Sequence, residues 1–167
     1  MSASPLKILF LCTGNSCRSI LAESLIERHG AGRFLGYSAG SNPQGYVNTH
    51  TLALLESLGR PRTGLRSKRW EEFGAENSPD VAEMDIVITV CDIAAGEVCP
   101  VWPGHPVTAH WPFRDPFAFA GSPAETTAEY AAVYREIEKS IEALVALPVE
   151  TMDSETLRAC LTGIGQG

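Results

Sequence analysis

Lys7 to Ser19, KILFLCTGNSCRS, is the stretch that decides the fold. The apolar run Lys7–Leu11 reads as a buried strand, and the polar turn around Gly14 and Asn15 ends it. Helical periodicity then begins at Arg18, puts Leu21, Leu25 and Arg28 on one face, and runs to His29 before Gly30. Strand, tight polar turn and helix in direct succession open a βαβ unit, which commits the chain to a parallel sheet.

The rest of the chain continues this alternation. Phe34–Ala39, closed by Gly40, is a second short strand, and Asn48–Leu58 is a helix with Leu52, Leu55 and Leu58 inward. Lys68–Phe73 reads as a short helix. Met84–Val90, MDIVITV, is a β-branched strand, and Val107–His110 is a weaker fourth one. Ser122-Pro123-Ala124-Glu125 combines an N-cap serine, proline at the first helical position and a capping-box glutamate. The helix it starts carries Tyr130, Val133, Tyr134, Ile137, Ile141 and Leu144 at helical spacing and stops before Pro148. The expectation is an α/β fold: a four-stranded parallel sheet flanked by helices on both faces. Residues 1–148 form one catalytic domain, and 149–167 form a C-terminal tail with a short docked helix near Asp153–Leu161.

Composition narrows the function. At 167 residues, 44% hydrophobic and 20% charged, the chain has the size and make-up of one globular domain. A net charge of −7 disfavours nucleic acid and anionic membrane as partners, so an anion would have to be bound by a local device. No run approaches the about 20 apolar residues a membrane span needs, and no signal-peptide pattern is seen, so the expected location is the cytoplasm. There thiols stay reduced and cysteines serve catalysis, redox chemistry or metals. Five cysteines, Cys12, Cys17, Cys91, Cys99 and Cys160, are an odd number for a paired disulfide framework.

Ligands of parallel sheets sit at the carboxyl ends of the strands. Three segments leave those ends here: Cys12 onward, Cys91 onward and Trp111–Pro116. In the first, Cys12-Thr13-Gly14-Asn15-Ser16-Cys17-Arg18-Ser19 has the form C-x5-R-S. A polar turn between strand and helix converges backbone N–H groups on one point and cradles a tetrahedral oxyanion. Arg18 can clamp two of its oxygens bidentately, as a lysine cannot. Such dipoles should lower the pKa of Cys12 and make it a nucleophile, with Asn15 and Ser19 bonding to the sulfur and the loop. The competing reading is that Cys12 is a small buried residue at a strand end. Cys17 reads as structural.

FLCTGNSCRS, YSAGS after the second strand, and Asp115-Pro116 together resemble the low-molecular-weight phosphotyrosine phosphatase superfamily, over Lys7 to about Leu147. The resemblance implies that Cys12 attacks the central atom of the oxyanion, the loop 13–19 with Arg18 holds it, and Asp115 is the general acid.

A phosphatase needs no further thiols. Yet Cys91 directly follows the third strand, and Cys99 comes eight positions later. If the first and third strands are neighbours, about 4.8 Å apart, Cys12 and Cys91 fall within disulfide range. VCDIAAGEVCPVWPG resembles the redox segment of the arsenate reductases of the superfamily. That resemblance implies attack of Cys12 on arsenate, with phosphate as a competing analogue, and a Cys12–Cys91–Cys99 disulfide relay. It implies no tightly bound cofactor, and thioredoxin or a glutaredoxin/small-thiol system as reductant. The alternative is a phosphatase hydrolysing phosphate monoesters with Cys12, Arg18 and Asp115; DPFAFAG lacks the tyrosines that often sandwich its substrate ring. Three further readings are weaker. Cys91 and Cys99 are unrelated core thiols; Cys91, Cys99, His105 and His110 hold zinc, against the usual short ligand spacing; or the loop is a sensor without turnover.

Overall fold

The computed structural model describes residues 4–30, 32–74, 83–91, 102 and 104–166. Strands β1 (Leu6–Cys12), β2 (Phe34–Gly40), β3 (Ile86–Thr89) and β4 (Val107–His110) form one parallel sheet in the order β2-β1-β3-β4. The α-helices are α1 (Arg18–His29), α2 (Thr49–Ser57), α3 (Pro123–Val145) and α4 (Ser154–Gln166). Three 3-10 turns, Trp70–Phe73, Pro116–Ala118 and Val149–Thr151, complete the described elements.

The order of strands places the site. β1 pairs with β2 on one side and β3 on the other, so the chain switches direction across the sheet at the carboxyl end of β1. A crevice opens at such a switch point, and Cys12 is the last residue of the strand that reaches it. The register is Ile8 to Leu11 against Ile86 to Thr89, and Val90 N–H continues it to Leu11 O at 2.8 Å. Cys12 therefore stands level with Val90, and Cys91 lies one step beyond, beside Thr13.

The alternation along β1 splits the core in two. Ile8 and Phe10 face α1, α3 and α4, in a cluster with Leu21, Leu25, Ile137 and Leu161. Leu9 and Leu11 face the other way, packed with Val87, Trp70 of the first 3-10 turn and Trp102. Burying side chains of this size contributes about 1.5–3 kcal/mol each.

Most sequence expectations hold. α1 has the expected limits. α3 opens with the full Ser122–Glu125 capping box and buries all six expected residues. Three details differ. In α2 it is Leu54 and Leu55 that are buried while Leu58, the C-cap, is exposed, because the helix ends one residue earlier and the inward stripe shifts with it. β3 is only four residues long; Met84 and Val90 are buried and flank it, the Val90 N–H still bonded to Leu11 O. α4 runs to Gln166 instead of about Leu161, opened by Asp153 Oδ1 accepting from Thr156 N at 2.7 Å, and buries Leu157 and Leu161.

Candidate functional site

Residues 13–18 pass from β1 into α1 around a cleft of about 280 Å³. The loop carbonyls are tied away from it. Thr13 O accepts from Asn42 N at 2.9 Å, Gly14 O from Gln44 N at 3.0 Å and Ser67 Oγ at 3.2 Å, and Ser16 O from Asn48 N at 3.0 Å. In a trans peptide the next N–H points opposite to the carbonyl, so the amides of Gly14, Asn15 and Cys17 turn inward. Helix α1 begins with no side-chain cap, which leaves its first-turn amides for an anion. Gly40 makes room for the loop: a Cβ there would lie 2.4 Å from Thr13 O and 2.8 Å from Cys12 O.

Asn15 has φ +44°, in the left-handed region that turns the chain most sharply, and it is fully buried. Its Nδ2 donates to Ser19 Oγ at 2.8 Å and Ser38 Oγ at 3.0 Å, while its Oδ1 accepts from Lys68 N at 2.8 Å. Ser38 Oγ in turn donates to Glu23 Oε1 at 2.5 Å, and Lys68 Nζ lies 3.8 Å from the same carboxylate oxygen. Burial pushes the Glu23 carboxyl up and the Lys68 ammonium down, while their mutual attraction works against both shifts. The sequence expects Asn15 and Ser19 to bond to the sulfur and the loop and to serve the oxyanion; in the structure their side chains bond to each other and Asn15 holds the loop from beneath, as the second part of that expectation has it.

From the start of α1, Arg18 reaches the opposite wall: its Nη1 donates to Phe113 O at 3.0 Å, and Nη2 lies 3.6 Å from Asp115 Oδ2. Asp115 Oδ1 accepts from Phe117 N at 3.0 Å, which caps the second 3-10 turn. The Asp115 side chain is 40% exposed against 13% for Arg18, so the acid faces the cleft mouth and the guanidinium its floor.

Cys91 sits beside the end of β1: its Sγ accepts from Thr13 N at 3.3 Å and lies 3.5 Å from Thr13 Oγ1, which sets it next to Cys12. The Cys91 thiol and burial push the Cys12 thiol well above its ordinary value, against Arg18 and the Gly14 amide, which pull it down. The lowered pKa expected from the loop dipoles is thus outweighed by the second thiol and by burial. Burial pushes the Cys17 thiol up to about 12, which fits a structural role.

Of the residues expected from sequence, Cys12, Thr13, Gly14, Ser16, Cys17, Arg18 and Asp115 line the cleft. Cys99 lies outside the described residues. For the zinc reading, His110 Nδ1 is bonded to Thr89 Oγ1 at 2.7 Å. Among the described residues, ligand-like spacing occurs at His29, Glu138 and Glu142, away from the cleft, where His29 and Glu138 already pair at 2.9 Å. The sequence reading missed Asn42 and Gln44 in the wall and Ser38, Glu23 and Lys68 behind the loop. The only signal for them was the polar SAGSNPQG run after the second strand.

The comparisons agree with this geometry. Residues 7–158 match the model of the low molecular weight phosphotyrosine protein phosphatase family. The arsenate reductase of Bacillus licheniformis is 35% identical over 136 residues, 81% of this chain and 91% of its own. A solved arsenate reductase in the phosphate binding state superposes with TM-score 0.64 at 27% identity, over 84% of this chain and 97% of that one. The thioredoxin-dependent arsenate reductase of Corynebacterium glutamicum does so with TM-score 0.54 at 26% identity, over 84% of this chain and 64% of that one. The chain belongs to the low-molecular-weight phosphotyrosine phosphatase family and, within it, groups with the arsenate reductases.

Proposed function

We propose that the protein reduces arsenate to arsenite, with Cys12 as nucleophile and Cys91 as the first resolving thiol. The observation that carries this reading is the Cys91 thiol held beside the Cys12 end of β1, its sulfur 3.3 Å from Thr13 N at the start of the cradle loop. Phosphate-ester hydrolysis gives such a thiol nothing to do, whereas pentavalent arsenic becomes trivalent only when two sulfurs are oxidised.

Arsenate enters against the inward amides and the Arg18 guanidinium. The Cys12 sulfur bonds to arsenic, one arsenic–oxygen bond breaks, and the thiol proton leaves with the departing oxygen as water. The Cys12 thiol and the arsenate monoanion thus give one water and a sulfur–arsenic adduct that keeps three oxygens and the single negative charge. Asp115, at the mouth beside Arg18, passes the proton to the departing oxygen. Cys91 then attacks the Cys12 sulfur, and the electron pair of the sulfur–arsenic bond stays on arsenic. The products are the Cys12–Cys91 disulfide and the arsenite monoanion, which takes up the Cys91 proton on oxygen. Cys99 attacks this disulfide and carries it to a Cys91–Cys99 bond, from which an external dithiol restores the thiols. Thioredoxin is the reductant supported by the Corynebacterium relative; a glutaredoxin/small-thiol system is the alternative.

Arsenate-dependent NADPH oxidation, run with thioredoxin and thioredoxin reductase and then with glutathione, glutaredoxin and glutathione reductase, tests the reading. Turnover with one system and none without arsenate is expected. Aryl-phosphate hydrolysis with no arsenate turnover under either donor would replace it by the phosphatase reading. One observation favours that alternative: Phe117, at the cleft wall and 64% exposed, offers an aromatic face although the tyrosines are lacking.

A further inference from the structure

The acid wall is joined to the C-terminal helix. Trp111, the first residue after β4, is fully buried. Its backbone N–H donates to Thr89 O at 2.7 Å, its ring lies 6.3 Å from that of Phe10, and its Nε1 donates to Leu161 O of α4 at 2.8 Å. Gly165 brings the end of α4 against the same point: a Cβ there would stand 2.4 Å from His110 O and 2.7 Å from Trp111 Cδ1. Two residues past Trp111, the Phe113 carbonyl receives the Arg18 guanidinium, and two further on Asp115 stands beside it.

A groove of about 500 Å³ runs between α3 and α4 beneath this segment, bordered by Pro112, Phe113, Lys139 and Ile164. The segment is therefore not packed solidly from below. It is tied to the end of β3 by Trp111 N–H to Thr89 O at 2.7 Å and by a long Phe113 N–H to Val90 O bond at 3.4 Å, to α4 through the Trp111 side chain, and to Glu129 and Glu136 of α3 through half-exposed Arg114, a weak hold. α4 itself continues beyond residue 158, where the family match ends.

We propose that α4 is a positioning element of the oxyanion site: through Leu161 and Gly165 it fixes Trp111, and through the Trp111–Asp115 segment it sets the Phe113 carbonyl against Arg18. Trp111 and Gly165 are positioning residues in this sense, and neither touches the anion. The assignment rests on the reading of Arg18 as the oxyanion clamp.

Calorimetric titration with inorganic phosphate at 25 °C, on full-length protein verified as folded by circular dichroism, tests it without requiring turnover. Trp111→Phe keeps an aromatic ring at the site, with some loss of packing, and removes the donor to Leu161; Gly165→Ala wedges α4 away. Each is expected to weaken phosphate binding by about tenfold, in line with the sensitivity of such sites to small displacements. Gly163→Ala, in the same helix where a Cβ meets nothing within 4 Å, is expected to leave the affinity unchanged. A merely stabilising role for α4 would lower the melting temperature and leave the affinity of the folded protein as it was. Affinities within twofold of the parent in both Trp111→Phe and Gly165→Ala overturn the proposal, as does an equal loss in Gly163→Ala. Absence of phosphate binding by the parent chain would instead overturn the oxyanion reading of the loop.

Discussion

The two walls of the cleft are built by different means. The β1–α1 wall is a continuous piece of chain, fixed by ladders to β2 and β3 and by fully buried Asn15. The acid wall leaves the sheet after β4, tied to β3 by Trp111 N–H to Thr89 O and a long Phe113 N–H to Val90 O bond, and meets Arg18 at Phe113 O and Asp115 with α3 and α4 behind it. The first wall is one stretch of chain, braced from behind by Ser38 and Lys68; the second is brought to Arg18 from a separate strand end. That division suits the proposed chemistry: the nucleophile needs a fixed cradle, while the clamp and acid must close on an anion that arrives and leaves.

Substitutions in the two walls should accordingly fail in different ways. Arg18→Lys keeps the charge and loses the planar fork that bonds Phe113 O and is proposed to clamp the anion, so kcat/KM for arsenate should fall about 100-fold with the melting temperature little changed. Steady-state kinetics beside a thermal melt checks both halves of that statement. Asn15→Ala should do the reverse. It leaves Ser19 Oγ, Ser38 Oγ and the Lys68 amide without their bonds to Asn15, at about 1–3 kcal/mol for each buried group left unpaired. An unfolding midpoint lowered by several degrees, with phosphate affinity reduced only in proportion to loop disorder, is the expected result. A large kinetic loss without a stability loss would erase the contrast between the walls.

A third, smaller effect concerns the thiol pair. Because the neighbouring Cys91 thiol is the largest influence raising the Cys12 thiol, less thiolate is present at neutral pH than for an ordinary cysteine, and alkylation by iodoacetamide should climb as pH rises through the alkaline range. Cys91→Ser removes that influence. Arg18 and the Gly14 amide then dominate more, so the alkylation profile of Cys12 should move toward lower pH, and phosphate should protect against it. Movement toward higher pH would mean that Cys91 favours the thiolate instead.

The first wall was legible in the sequence and the second only in part. Lys7–His29 contains strand, loop and helix in one stretch, so apolar periodicity and the C-x5-R-S spacing sufficed. Cys91 followed from placing two strand ends side by side, and the sheet order puts it there. What escaped depends on side chains meeting from afar. Nothing near Lys68 says that its amide reaches Asn15, and nothing near Phe113 says that its carbonyl receives Arg18. The pKa direction of Cys12 was misjudged for the same reason: the loop dipoles are local, while the opposing thiol comes from 79 positions further along. α4 was read too short because Gly163 and Gly165 discourage a helix, though Gly165 is what lets that helix approach Trp111.

The central claim is that Cys91 resolves an arsenic adduct on Cys12. A single-turnover experiment on Cys99→Ser, treated with arsenate in the absence of any external reductant, tests it most directly. The account predicts one arsenite released per chain and a Cys12–Cys91 disulfide in the peptide map by mass spectrometry. Arsenite released without that disulfide, or both thiols still alkylatable after exposure to arsenate, would contradict it.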